Sequence, residues 1–198
     1  MNKIVVGISG ATGVIYGIRM LKALFQSGAE THLVITSSAI KNMLIETEYT
    51  VADLEPFAST IYDVDDVGGA IASGSFQVDG MVIAPCSIKT LSAVANSFNY
   101  NLLIRAADVN LKERRRVVLL VRETPLHEGH LDLMTKVTRM GGVIMPPAPA
   151  FYHMPKTIDD IINQSVGKVL DLFGIDASLF RRWGSSAKEE IKIVKIQK

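Results

Sequence analysis

The chain has 198 residues, 48% of them hydrophobic, and its 21 basic and 20 acidic side chains leave a formal net charge of +1. That length suits one domain with a sizeable core, and the balanced charge excludes the basic excess of a nucleic-acid-binding surface. One cysteine, Cys86, excludes an intrachain disulfide and fits a reducing compartment. No run is apolar enough to span a bilayer, and residues 1–7 lead straight into a glycine-rich turn rather than reading as a signal peptide, so a cytoplasmic protein is expected.

Apolar runs then alternate with helical patterns along the chain. Residues 4–8 read as a buried strand and 12–26 as the helix that follows. A second strand is expected at 32–35, with a helix through 46. Residues 50–58 suggest a short helix and 60–62 a short strand. The run 80–84 is β-rich, 88–97 and 101–113 are helical, and 117–121 is a strong strand. Residues 126–140 are helical, 142–145 form a strand, and 157–173 make a last amphipathic helix ending at Gly174. The remainder, 175–198, lacks an apolar period until 191–196 and reads as a tail that packs on another subunit.

The strands are continuous apolar runs, as a parallel sheet covered on both faces requires. Strand–helix alternation then implies right-handed crossovers. The expected class is α/β, with a doubly wound, mostly parallel sheet between two helical layers, Rossmann- or flavodoxin-like. Ligands of such sheets bind beyond the carboxyl ends of the strands, which selects the loops to read.

The first loop is Gly-Ile-Ser-Gly-Ala-Thr-Gly at 7–13. Its glycines let backbone approach a ligand, and the helix after it offers unpaired N–H groups to a phosphate. It is neither a Walker A loop nor a dinucleotide fingerprint, because Ser9 stands where the second glycine would be. A plain tight turn is the other reading. The second loop, Thr36-Ser37-Ser38, supplies hydroxyls for a mononucleotide phosphate or simply a helix N-cap. The third, 84–90, places Ser87, Lys89 and Thr90 at a strand end, with Cys86 read as a small core residue. The fourth sets Arg122 and Glu123 at the tip of an apolar strand. There an arginine can clamp phosphate and a carboxylate can trade protons, or the two form a local salt bridge. The fifth, 145–153, is stiffened by Pro146, Pro147 and Pro149, has room for a cis bond, and carries Phe151 and Tyr152 to the same edge. The histidines of His127-Glu128-Gly129-His130 are three apart, not the four of the zinc-protease motif, so no metal site is expected.

Taken together these loops are similar to those of the UbiX-like flavin prenyltransferases, relatives in fold of the flavin-containing cysteine decarboxylases. The likeness rests on the 7–13 loop, Ser-Gly-Ser-Phe at 73–76, Pro-Cys-Ser-Ile-Lys-Thr at 85–90, and Arg-Ala-Ala-Asp-Val at 105–109. It extends through Leu-Lys-Glu-Arg at 111–114, Arg-Glu-Thr-Pro-Leu at 122–126 and Pro-Pro-Ala-Pro-Ala-Phe-Tyr at 146–152. The resemblance implies an enzyme that joins the dimethylallyl group of dimethylallyl phosphate to N5 and C6 of reduced FMN without a metal. The prenylated FMN would serve a UbiD-like decarboxylase, and the assembly would be a homododecamer.

The resemblance also implies site residues. Gly10, Ala11, Thr12, Thr36, Ser87, Ile88, Lys89, Thr90 and Arg122 would contact FMN. Tyr152, Lys168, Lys112, Arg105 and Trp183 would hold or enclose the prenyl donor. Glu123, Glu46, Lys112 and Arg122 would stand near the chemistry. Arg105, Lys112 or Trp183 would reach a neighbour's site. Lys168 stands where other members carry arginine, keeping the charge without the bidentate fork. Two other readings stand beside this one. One is an FMN-dependent oxidative decarboxylase of cysteine-containing substrates, whose Pro-x-Met-Asn signature is replaced here by Pro146-Pro147-Ala148-Pro149. The other is a non-catalytic partner subunit of an aromatic-acid decarboxylase.

Overall fold

The computed structural model describes residues 1–184. The apolar period at 191–196 lies outside the described residues. Six strands form one sheet: β1 (Lys3–Ile8), β2 (Glu30–Ile35), β3 (Thr60–Tyr62), β4 (Gly80–Cys86), β5 (Arg116–Val121) and β6 (Val143–Ile144). Every pairing is parallel, in the order β3-β2-β1-β4-β5-β6. The chain starts in the middle, builds outward to β3, then crosses back to β4. This reversal between β1 and β4 is the switch point at which doubly wound sheets bind ligands.

The helices are α1 (Val14–Gln26), α2 (Ser37–Glu46), α3 (Ile88–Ala95), α4 (Leu102–Lys112), α5 (Glu128–Arg139) and α6 (Ile158–Leu172). Alternate strand residues point to opposite faces, so two cores form. Ile4, Val6 and Ile8 pack with Ile18 and Leu21 of α1, Met43 of α2 and Val166 and Leu170 of α6. Val5 and Met81 face the other way, onto Leu91 of α3, Leu103 and Ile104 of α4 and Val137 of α5. All seven residues of β4 are buried, which is why that run showed no alternation. Gly17 lets α1 lie directly on β4, because a Cβ there would sit 2.3 Å from the Ala84 carbonyl oxygen. Among the described residues no helix is long and apolar enough to cross a membrane.

Element bounds depart from the expectation where caps intervene. The first helix starts at Val14 rather than Thr12, because Gly13 takes a left-handed N-cap conformation. Strand β4 runs on to Cys86, past a register shift between Ile83 and Cys86. The 50–58 segment contains a 3-10 helix, Ala52–Phe57, and a second short one, Ala70–Ala72, had no apolar period to announce it. The cis peptide bonds are Ala84–Pro85 and Thr124–Pro125, not bonds of the 146–149 loop.

Candidate active site

The switch point is held together by Ser9, which is fully buried. Its amide and hydroxyl both donate to the Pro85 carbonyl, at 3.2 and 3.0 Å, and its hydroxyl accepts from the Ser87 amide at 2.8 Å. One hydroxyl therefore joins the loop after β1 to the loop after β4. The position that breaks a dinucleotide fingerprint in the sequence is thus a structural tie across the site. Gly10 follows it, and a Cβ there would stand 2.4 Å from that of Ser38. Only glycine lets the first loop reach the second.

Beyond these ties lies a cleft of about 480 Å³, lined among others by Gly10, Thr36, Ser38, Ser87, Lys89 and Glu123. Two helices begin in it. Thr36 caps α2 by accepting from the Ala39 amide at 3.2 Å. Ser87 caps α3 by accepting from the Thr90 amide at 3.3 Å, and its hydroxyl donates to that of Thr90 at 3.1 Å. Each cap satisfies one amide of its helix, and the first-turn residues Ser37 and Ser38 of α2, with Ile88 and Lys89 of α3, line the cleft. Two positive helix ends, several hydroxyls and a lysine make this a site for a phosphorylated ligand. The N-cap and ligand-contact readings of Thr36 and Ser87 are therefore compatible. The Lys89 ammonium lies 4.9 Å from the centre of the Tyr100 ring, on the cleft wall.

The start of α1 is arranged differently. Gly13 has no side chain with which to cap it, and Glu46 does so from the far end of α2. One Glu46 carboxylate oxygen accepts from the Gly13 and Val14 amides, at 2.7 and 3.2 Å. The sequence offers the first amides of this helix to a phosphate; in the structure a carboxylate 33 and 32 residues away along the chain accepts from the first two. Glu46 does not line that cleft but a separate one, with Ile15, Tyr49 and Ile158.

Arg122 and Glu123 sit at the end of β5, where the Arg122 amide donates to the Cys86 carbonyl at 3.0 Å. They form no ion pair with one another. Glu123 lines the cleft, and its carboxylate accepts from the Thr124 amide at 3.1 Å. The Arg122 charge lies close enough to Tyr16 to oppose the burial that pushes that phenol above its ordinary value. Cys86 is fully buried, its thiol pushed well above the ordinary value by that burial, and it is a core residue rather than a nucleophile. Ala11 and Thr12 follow Gly10 at the rim. Thr12 is exposed.

The remaining expected residues lie apart. Arg105 donates to the Ala72 carbonyl at 3.2 Å and pairs with Asp108. Lys112 ends α4 and pairs with Glu113 beside Gly74. Asn101, at the start of α4, lines the cleft. At 1.5 Å per residue, the rise from Asn101 puts Lys112 roughly 16 Å away along the helix, beyond reach of its own chain's cleft. Tyr152 is flanked by His153 and Trp183, with ring centres 5.6 and 5.7 Å away. Lys168 stands on α6, 3.8 Å from Asp171. His127 and His130 stack with ring centres 3.6 Å apart. Among the described residues no three metal-ligating side chains converge.

Comparison with known proteins decides what kind of site this is. The Flavoprotein family model matches residues 1–170. A flavin prenyltransferase UbiX from Thauera aromatica is 62% identical over 189 residues, covering 96% of this chain and 97% of that one. The chain belongs to the UbiX flavin prenyltransferases. Solved structures agree with the sequence relationship. AnUbiX (PadA1), in complex with FMN and dimethylallyl pyrophosphate, superposes with a TM-score of 0.92 at 47% identity, over 94% of this chain and 99% of that one. A dodecameric FMN-dependent UbiX-like decarboxylase from Escherichia coli O157:H7 gives 0.89 at 43% identity, over 91% and 98%. Membership of the UbiX flavin prenyltransferases makes this chain a transferase, not a cysteine decarboxylase or a non-catalytic subunit.

Proposed function

We propose that this chain binds reduced FMN in the switch-point cleft and transfers to it the dimethylallyl group of dimethylallyl phosphate. The observation that carries this is the cleft itself, where the α2 and α3 N-termini, Ser87, Lys89 and Thr90 converge at the junction of β1 and β4. That donor set fits the monoester phosphate of FMN, and AnUbiX holds FMN together with a prenyl donor. Gly10, Ala11 and Thr12 border the flavin, and Arg122 lies at its edge. The reduced flavin supplies the nucleophile: its N5 displaces phosphate from the allyl carbon, and a second bond to C6 closes a new ring.

The side chains have the tasks that this exchange requires. As the carbon–oxygen bond breaks, its electron pair leaves with the phosphate, and cations must meet that charge. Lys168, Arg105 and Lys112 supply them, with the Tyr152 hydroxyl as a further donor. The proton that N5 loses passes to the departing phosphate; protonation of the remaining prenyl double bond from that phosphate makes its tertiary carbon the electrophile for C6, and Glu123 takes the proton that C6 loses and returns it to the phosphate. Neither Arg105 nor Lys112 lines its own chain's cleft, so in this reading they serve a neighbouring copy in a homododecamer; the E. coli relative is dodecameric. The product is handed to a UbiD-like decarboxylase. Anaerobic incubation with reduced FMN and dimethylallyl phosphate, then mass spectrometry of the released flavin, tests the reading. A flavin heavier by one five-carbon unit is expected, and FMN returned unchanged with both the monophosphate and the diphosphate overturns it.

A further inference from the structure

After α6 the chain doubles back along that helix. Phe180 packs on Gly167, where a Cβ would stand 2.5 Å from the ring. The Arg182 guanidinium lies 5.5 Å from the Phe180 ring centre. Its two terminal nitrogens then grip both oxygens of Asp171, each at 2.7 Å, and one of them also reaches Asp176 at 3.1 Å. Asp176 is itself fixed by the Ser178 amide at 3.0 Å. The next residue is Trp183, which meets Tyr152 edge to face. Trp183 is 76% exposed, so among the described residues little else fixes its place.

We propose that Asp171 is a positioning residue for the prenyl-donor site, acting through its fork to Arg182 to seat Trp183 on Tyr152. This rests on the reading in which Tyr152, Lys168 and Trp183 surround the donor. Isolated surface ion pairs contribute little, but a two-pronged arginine–carboxylate contact also fixes direction, and direction is what an adjacent ring requires. The fork has a second consequence. Lys168 lies one turn before Asp171 and keeps only a 3.8 Å contact with it. With both carboxylate oxygens accepting shorter bonds from Arg182, the Lys168 ammonium shares Asp171 at longer range and would answer a substrate phosphate in the proposed site.

The test uses the full-length chain. Trp183 is its only tryptophan, so time-resolved fluorescence anisotropy reads its seating directly. In Asp171→Asn and in Arg182→Gln we expect a larger fast local component. The KM for dimethylallyl phosphate should rise about tenfold, as loss of a charge-assisted contact implies, with FMN affinity unchanged. The double variant should be no worse than Arg182→Gln alone, since that change already removes the fork along with the contact to Asp176. Arg182→Lys, which keeps the charge without the fork, should fall between. Unchanged anisotropy with unchanged donor KM in Asp171→Asn overturns the proposal, and so does an equal loss of FMN affinity. A freed Trp183 in Asp171→Asn, in a protein whose wild type transfers no prenyl group, keeps the fork and removes the prenyl-transfer reading instead.

Discussion

At the scale of single residues, the site divides into groups that shape it and groups that face the reaction. Ser9 and Gly10 shape it: one ties β1 to β4, the other lets two loops touch. Glu123 is the group proposed to face the reaction, because it lines the cleft and forms no ion pair among the described residues. Glu123→Gln keeps the shape and the hydrogen-bonding capacity but cannot carry the proton. It should bind FMN normally and lose about 100-fold or more in turnover, the usual contribution of a positioned acid–base group. Flavin titration beside a single-turnover assay checks both halves, and full turnover in the variant removes Glu123 from the mechanism. The Arg122-Glu123 pair was legible in sequence as polar residues ending an apolar strand. The tie made by Ser9 was not, because its partners Pro85 and Ser87 lie 76 and 78 residues away.

At the scale of elements, three helices begin around the switch point and are capped by different means. α2 and α3 carry their caps in Thr36 and Ser87, hydroxyl residues beside their own first turns. Those were readable from sequence because capping by a neighbouring residue is a local rule. α1 borrows its cap from Glu46 across the fold, and no local pattern could reveal that. A carboxylate at a helix N-terminus satisfies free amides and opposes the dipole. Glu46→Ala should therefore cost about 1 kcal/mol, lowering the melting temperature by roughly 2–4 °C for a chain of this size. Glu46→Gln, which keeps an acceptor oxygen, should cost less. Thermal unfolding of the three proteins checks this, and equal melting temperatures would show that the cap adds nothing. The strands were legible nearly throughout because burial on both faces removes polar residues from them. Errors gathered where the backbone turns, at Gly13, at the end of β4 and at the unannounced 3-10 helix over Ala70–Ala72.

At the scale of the whole molecule, one chain builds the switch-point cleft, but part of its expected cationic set is not among the residues that line it. Arg105 is engaged with Ala72 and Asp108, and Lys112 lies at the far end of α4. Sequence alone placed them in the site by resemblance, and spacing along a chain cannot say which copy's site a residue serves. In the proposed assembly each reacting centre would combine Glu123 of one chain with Lys112 of another. This is tested most directly by co-expressing Glu123→Gln and Lys112→Ala chains in equal amounts and measuring flavin prenylation by the purified mixed assemblies. Each variant alone should be nearly inactive. If the two residues come from different copies, random mixing leaves about one quarter of the sites with both intact, and the mixture should recover about that share of wild-type activity. A mixture as inactive as its parents would contradict the account, because it would mean that both residues must belong to the same chain.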